Sequence, residues 1–171
     1  MWLKSEMLTL RAPEPEDLEL MYAMENDTTL WSAGSTTLPY SRYTLRLYLE
    51  QSKQDLYAER QARFVIGVEN GEAAGMIDLA DFDPLNNRAE VCIGLLGKHR
   101  GKGIATRAFA LLCDYALKKL HINQLFAFIP EWNEESLRLF EKNGFKKSAL
   151  LQQWLRTENG YSNVFLVQKL A

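Results

Sequence analysis

The sequence has few of the residues that build metal centres and disulfide frameworks. Only two cysteines and two histidines occur among 171 residues. Cys92 and Cys113 lie far apart, in a strand-like and a helix-like run, and they show no CxxC spacing. The sequence therefore predicts two buried, reduced thiols and no protein-bound metal.

Long apolar runs and a strong charge of one sign are also lacking. No apolar stretch approaches the ~18 residues that a membrane helix needs, and the N-terminus has no apolar core of a signal peptide. Twenty basic residues stand against 22 acidic ones, for a formal net charge of -2. These absences predict a cytoplasmic protein that partners neither a membrane nor a nucleic acid.

The pattern that is present predicts one α/β domain over residues 1–171, of the α+β type. Hydrophobic residues make up 47% of the chain, which suits a single packed core. We expect about seven mostly antiparallel strands in a central mixed sheet, with about four helices on its faces. The predicted strands are 7–11, 62–69, 72–80, 88–95, 124–129, 149–156 and 161–169, and the predicted helices are 15–24, 41–57, 104–120 and 134–143.

The segment between the strand 88–95 and the helix 104–120 carries the clearest chemical signal. Gly101 and Gly103 allow a tight bend just before a helix begins, and Lys98, Arg100 and Lys102 add positive charge around it. The first N–H groups of a helix lack internal partners, so such a terminus suits a phosphate. A glycine that serves only the turn is the alternative.

Two common phosphate loops are excluded by spacing. The segment lacks the Gly-Lys-Ser/Thr of a Walker A loop, and position 106 is Thr where a dinucleotide fingerprint has its third glycine. The loop instead resembles the R/Q-x-x-G-x-G/A signature of GCN5-related N-acetyltransferases (GNAT). The resemblance continues through Asn133-Glu134-Glu135-Ser136, Phe140-Glu141-Lys142-Asn143-Gly144-Phe145, Leu8-Thr9-Leu10-Arg11, Glu14-Pro15-Glu16-Asp17-Leu18 and Arg88-Ala89-Glu90.

The resemblance covers nearly the whole chain, and it points to the spermidine/diamine and ribosomal-protein N-terminal branches of the family. It implies a GNAT fold whose sheet splays to hold acetyl-CoA as co-substrate. The residues that it assigns to this cofactor are Ile93, Gly94, Leu95, Arg100, Gly101, Lys102, Gly103, Ile104, Ala105, Asn133 and Phe140. For Asn133 a plain helix start is the alternative.

Catalysis in the family is a direct attack of a neutral amine on the thioester. Many relatives protonate the thiolate with a tyrosine four residues before Gly-Phe, but this chain has Phe140 there. Ser136, one helical turn earlier, is the predicted acid, and a helix cap is its alternative. Glu90 is the predicted base, with a strand-edge ion pair to Arg88 as the alternative.

The acceptor is predicted to be a diamine or polyamine, bound by Trp31, Tyr40, Asp78 and Trp154. Each aromatic residue has core packing as its alternative. A protein N-terminal α-amine is the competing acceptor, because Ser136 with Phe140 suits that branch. A non-catalytic acyl-CoA-binding module is a second alternative. Relatives often assemble, so a homo-oligomer, a dimer or larger, is also expected.

Overall fold

A single mixed sheet organises the computed structural model, which describes residues 2–31 and 38–171, with the backbone alone at Trp31. Seven strands run in the order β1-β2-β3-β4-β5-β7-β6, and only the central pair, β4 and β5, is parallel. The strands are β1 (Leu8–Arg11), β2 (Ala62–Val68), β3 (Ala73–Asp83), β4 (Arg88–Leu95), β5 (Gln124–Pro130), β6 (Lys146–Thr157) and β7 (Gly160–Leu170). The predicted fold class is confirmed.

Six α-helices accompany the sheet in the described chain. They are α1 (Leu18–Glu25), α2 (Thr28–Trp31), α3 (Arg42–Gln51), α4 (Leu56–Glu59), α5 (Ile104–Asp114) and α6 (Glu134–Lys142). The predicted helix 41–57 is two helices, because Ser52 adopts an extended conformation and Asp55 caps a new start. The turn-forming residues of the stretch 26–39 predict a loop, but this stretch contains the one-turn α2, where Asp27 accepts from the Thr29 N–H. The helix predicted over 104–120 is α5 continued by a π-helical turn.

Both faces of the sheet are covered, and the two cores differ in size. The larger core packs α5 and α6 against one face, around residues such as Phe109, Leu112 and Phe140. The smaller core packs α1 and α3 against the other face through Met21, Met24, Leu45 and Met76. Alternate residues of a strand point to opposite faces. Polar residues two positions from Met76 along β3 therefore share the face that carries α1.

The sheet opens at its centre. β4 and β5 pair over three residues only, from Arg88 opposite Gln124 to Glu90 opposite Phe126. Beyond Glu90, no pairing between β4 and β5 occurs in the described chain. On the other side β4 stays paired with β3, and a Cβ at Gly75 would lie 2.2 Å from the Gly94 carbonyl oxygen. β4 is thus fixed to β3 while it separates from β5, as the splayed sheet was predicted to do.

Both cysteines are free thiols, but only one is buried as predicted. Cys113 lies in the larger core, where burial raises the pKa of its thiol to about 12. Cys92 is exposed, because its strand position faces the opening of the sheet. No helix within the described ranges is both long and apolar enough to span a membrane. No group of three potential metal ligands occurs among those residues either.

Candidate active site

A cleft of about 790 Å³ begins where β4 and β5 separate. One end lies against the segment that joins β4 to α5, and the other end lies under α1. Its walls are the C-terminal halves of β4 and β5 and one side of α6. The predicted residues that line it are Asp78, Ile93, Gly94, Leu95, Arg100, Gly101, Gly103, Ile104, Ala105, Asn133, Ser136 and Phe140.

The loop before α5 has the backbone conformation that its glycines predicted. Gly101 and Gly103 have φ angles of +73° and +72°, in the left-handed region that disfavours residues with a Cβ. No heavy atom lies within 4 Å of a Cβ built at Gly101, so the space above it is open. Gly103 is the N-cap of α5, and no side chain caps this helix in the described chain. The first N–H groups of α5 are therefore available to an anion.

Arg100 spans the mouth of the cleft. Its Nε donates to the Leu95 carbonyl at 3.1 Å, and its Nη2 lies 3.7 Å from a carboxylate oxygen of Asp27. A hydrogen bond from Thr29 and the charge of Arg100 hold the pKa of Asp27 below its usual value. The guanidinium thus links the end of β4 to the turn between α1 and α2. By contrast, Lys98 is held outside the cleft by the carboxylate of Glu72.

The α6 wall presents a hydroxyl to the cleft. Asn133 is the N-cap of α6, and its Oδ1 accepts from the Ser136 backbone N–H at 3.2 Å. The helix-start alternative for Asn133 is therefore real, although the residue also lines the cleft. The Ser136 side chain is half-buried, and its hydroxyl has no hydrogen bond within the described chain. This hydroxyl is free to meet a ligand.

Phe140 is part of the core as well as of the cleft wall. Its side chain is only 3% exposed and packs edge-on against Phe109 and Phe145, with ring centroids 4.6 and 5.0 Å away. Three mutually perpendicular rings suit the aromatic quadrupole and hold this part of α6 rigidly on α5. Phenylalanine has no proton to give. The position can therefore shape the cleft but cannot act as an acid.

The opposite end of the cleft has a charged floor. Arg63 of β2 donates through Nη1 to Glu25 of α1 at 2.7 Å and through Nη2 to Asp78 of β3 at 2.9 Å. Its Nε is 3.2 Å from both carboxylate oxygens of Asp78. All three side chains are about one-fifth exposed. Asp78, the predicted acceptor ligand, thus faces the cleft but is already paired with an arginine.

Glu90 lies beside the cleft rather than on its lining. It shares a sheet face with Cys92, two residues further along β4, and Cys92 is a lining residue. Burial, together with the charge of Asp81, raises the pKa of Glu90, while the Phe128 N–H donates to its carboxylate and opposes this. The alternative partner Arg88 contacts Asp83 instead, at 3.3 Å. A half-buried carboxylate with a raised pKa is suited to accept a proton.

Three other predicted residues do not line the cleft as described. The Lys102 carbonyl accepts from Arg107, and Lys102 lies at the outside of the loop. Tyr40 is 41% exposed, and its backbone is clamped by the Asn26 side chain. Trp154 is 60% exposed and stacks on Phe128, with ring centroids 6.0 Å apart. The prediction for the Trp31 side chain lies outside the described part of the chain.

Sequence reasoning missed several lining residues. Glu25 and Arg63 lie 38 positions apart in the chain, so no local motif joins them. Trp132 follows β5 and lines the cleft with 49% of its side chain exposed. A signal was present only for Arg63, which is the one charged residue in the otherwise apolar run 62–68. A charge at such a position predicts a buried ion pair or a site.

The splayed sheet, the open helix terminus and the hydroxyl-lined wall define an acyltransferase of the N-acetyltransferase class. The chain belongs to the GNAT family. Residues 7–146 match the family model described as an acetyltransferase (GNAT) domain. The assignment made from the sequence motifs is therefore confirmed.

Individual relatives come from both predicted branches. The chain is 27% identical over 154 residues to the spermidine N(1)-acetyltransferase of Escherichia coli K12, covering 90% of this chain and 81% of that protein. It is 29% identical over 145 residues to YdaF of Bacillus subtilis 168, a putative ribosomal N-acetyltransferase, covering 82% of this chain and 79% of that one.

The fold also matches a solved structure over nearly its full length. The spermidine N-acetyltransferase of Vibrio cholerae, solved in complex with CoA and spermine, superposes with a TM-score of 0.85. The match covers 97% of this chain and 96% of that one, at 23% sequence identity. At this identity the likeness establishes the shared fold.

Proposed function

We propose that residues 1–171 form one domain that transfers an acetyl group from acetyl-CoA to a primary amine, and that the acceptor is a diamine or polyamine. One observation carries the proposal. A single cleft joins an open helix N-terminus, suited to a pyrophosphate, to a floor with more carboxylates than guanidinium groups. The anionic acetyl-CoA and the cationic amine would then enter from opposite ends of the cleft.

The residues of the loop fit the cofactor. The glycine backbone at 101 and 103 leaves open space where side chains would otherwise block a pyrophosphate. The positive end of the α5 dipole and Arg100 supply the matching charge. One edge of Ile93–Leu95 is paired with β3, and the Leu95 carbonyl accepts from Arg100. The other main-chain groups that face the gap left by β5 are available to the amides of an extended pantetheine arm. Acetyl-CoA supplies the activated thioester.

Two side chains have the chemistry that transfer requires. Glu90 would take the proton of the incoming ammonium, directly or through water, because burial raises its pKa and makes its carboxylate a better proton acceptor. A main-chain N–H in the gap beside β4 would stabilise the oxyanion. Ser136 would donate the proton of its hydroxyl group to the leaving thiolate, since Phe140 has no proton to give. The acceptor amine attacks the carbonyl carbon as the carbon–sulfur bond breaks.

A protein N-terminal α-amine is the second candidate acceptor. The observation that favours it is the pairing of a free Ser136 hydroxyl with Phe140, the arrangement expected of the N-terminal branch. The relative YdaF is itself described as a putative ribosomal N-acetyltransferase. The acidic floor at Glu25 and Asp78 favours the diamine instead, because an α-amine offers one positive charge only.

The test measures CoA release with a thiol reagent against two panels of acceptors. One panel holds spermidine, spermine and short diamines, and the other holds peptides with free N-termini. Saturable turnover on the amines alone is expected. Turnover on peptides alone would move the chain to the second candidate, and bound acetyl-CoA without turnover on either panel would contradict both.

Assembly and location are parts of the same proposal. We propose a homo-oligomer in the cytoplasm, a dimer or larger, that takes a small-molecule amine. Light scattering after size exclusion tests the assembly, because a mass of one 19.7 kDa chain would contradict it. Fractionation of the source cells tests the location.

A further inference from the structure

The charged floor of the cleft, formed by Glu25, Arg63 and Asp78, is unusual in its balance of charge. Two carboxylates face one guanidinium, so the cluster has one negative charge more than it can neutralise when all three groups are ionised. Its members come from α1, β2 and β3, and each is mostly shielded from water. A surplus charge in such a place is costly unless a counter-ion joins it.

Arg63 is a poor anchor for an anionic substrate, because two carboxylates already neutralise its charge. Its Nε and one hydrogen of each terminal nitrogen are occupied by Asp78 and Glu25. The Tyr48 ring covers the guanidinium, with its centroid 5.5 Å from the central carbon. The role left to Arg63 is to hold two carboxylates from different elements at one place in the cleft. It is therefore a positioning residue.

The titration of Asp78 agrees with a cluster in which two described carboxylates share one described guanidinium. Burial is the largest cause that raises the pKa of Asp78, and the charge of Glu25 raises it further against the opposing effect of Arg63. Burial and the neighbouring charge of Glu25 therefore oppose the ionisation of Asp78. An ammonium in the cleft would compensate this charge and favour the ionised state.

The position of the cluster separates it from the reacting centre. Asp78 lies opposite Cys92 on β4, and the pantetheine-binding segment Ile93–Leu95 begins one residue later. Strands rise by about 3.4 Å per residue, so the floor lies one or two residue steps from this segment. The reacting amine must lose its proton, and a strongly acidic site would oppose that loss. A group that stays protonated throughout is the better occupant.

We propose that Glu25 and Asp78, positioned by Arg63, bind the non-reacting ammonium of a diamine or polyamine and so select acceptors with a second positive charge. This inference rests on the proposed function, since it names how the same cleft recognises its acceptor. It predicts discrimination against amines that lack a second charge, and against those that bear a carboxylate.

The test compares 1,4-diaminobutane with butylamine, which differ by one ammonium group. Glu25→Gln keeps the shape of the side chain and removes the surplus charge. We expect it to lower the ratio of kcat/KM for the diamine to kcat/KM for the monoamine by at least about tenfold, chiefly through the KM of the diamine. Asp78→Asn should lower the ratio in the same direction.

Two further variants separate recognition from general damage. Glu19→Gln makes the same chemical change on the same helix, but Glu19 pairs with Arg42 on the surface, so the ratio should not change. Glu25→Asp retains the charge and should restore part of the lost ratio. A purely structural role of Glu25 would alter turnover of both amines alike.

The outcomes distinguish this inference from the proposed function. If the unmodified protein acetylates diamines and Glu25→Gln leaves the ratio unchanged, the charged floor is not the selecting element and only the inference fails. If the unmodified protein neither binds nor acetylates diamines, the proposed function and the inference fail together. A preference for diamines that disappears in both amide variants and returns in Glu25→Asp supports both.

Discussion

The two ends of the cleft are built in different ways. At the loop end, the anion site consists of backbone between Gly97 and Ile104, and consecutive residues supply all of it. At the floor end, the charged cluster consists of side chains from three elements, joined by ion pairs of 2.7 and 2.9 Å. A backbone site tolerates many side-chain changes but no steric obstruction. A side-chain site depends on the charge of its own residues and tolerates substitutions at neighbouring positions.

This difference has a consequence for evolution within the fold. An anion site formed by N–H groups can keep one cofactor while other parts of the chain vary. A cluster of side chains can change its charge by one substitution and so admit another acceptor. Under the proposed function, the loop end of the cleft would determine the class of reaction, and the floor end would determine the acceptor.

The largest expected effect is at the loop. Gly103→Val should weaken acetyl-CoA binding by more than about a hundredfold, because a β-branched residue is strained at a φ of +72° and narrows the approach to the helix terminus. Equilibrium binding of acetyl-CoA measures it. Gly71→Val is the matched control, since Gly71 also has a positive φ angle, +83°, but lies in the turn between β2 and β3, away from the described lining of the cleft. Equal binding by both variants would contradict a backbone anion site.

The next effect concerns the proposed base, Glu90, which lies beside the cleft. Glu90→Gln should lower kcat by about a hundredfold, in the range that general bases contribute. Because burial raises the pKa of Glu90, turnover of the unmodified protein should fall as the pH drops through a value above the ordinary 4.3 or so. The variant should lack this acidic limb. A pH profile that keeps the same limb in Glu90→Gln would assign the base elsewhere.

A smaller effect is expected on the α6 wall, between the two ends. Ser136→Ala should lower kcat by about tenfold with little change in acetyl-CoA binding, because the hydroxyl acts only when the thiolate leaves. Adding Phe140→Tyr to this variant should restore part of the turnover, since it places a hydroxyl one helical turn away. The pair is assayed by CoA release. No loss in Ser136→Ala would show that water alone protonates the thiolate.

The smallest expected effect lies outside the cleft and concerns stability. Asp17 is buried and accepts two hydrogen bonds from Arg11 and one from the Glu14 N–H. Asp17→Asn should lower the free energy of unfolding by about 1–3 kcal/mol, a usual value for hydrogen bonds to a charged group. Denaturant unfolding measures it, and the assays of the cleft should not change.

The difference in unfolding free energy between the unmodified protein and Asp17→Asn should depend on pH, because the pKa of Asp17 is lowered in the folded state. Arg11 and the Glu14 N–H lower the pKa of Asp17 against the opposing effect of burial. A group with a depressed folded pKa stabilises fully above its unfolded pKa, about 3.9, and loses this contribution as the pH falls through the folded value. The gap between the two proteins should therefore shrink below about pH 4. A constant gap would mean that packing, rather than charge, is responsible.

Most of the fold could be predicted from the sequence. The apolar stripe of α5 predicts a helix with one buried face, and the nearly all-apolar run of β5 predicts a strand that is covered on both sides. Both elements lie as predicted. The division of the helix 41–57 could not be predicted in this way, because caps at Ser52 and Asp55 outweigh the apolar pattern. The small helix α2 was missed because one turn carries no periodicity.

The candidate site likewise contains residues whose placement could be predicted from the sequence and residues whose placement could not. The glycines at 101 and 103 predicted their own conformation, since positive φ angles at neighbouring positions leave few other residues possible. Tyr40 and Trp154 were predicted to contact the acceptor, and each lies outside the described lining. Aromatic residues in a hairpin or loop have no local signal for the direction in which they point.

The sequence by itself determined the order of elements, the family and the conformation of the glycine loop before α5, because these depend on residues close in the chain. Only the tertiary structure decided that Glu25, Arg63 and Asp78 meet, because no periodicity relates α1 to β2 and β3. It also decided that Phe140 joins the aromatic core while the Ser136 hydroxyl has no hydrogen bond within the described residues. Local steric preferences fix a backbone, whereas the balance of charge in a cleft depends on how distant elements pack.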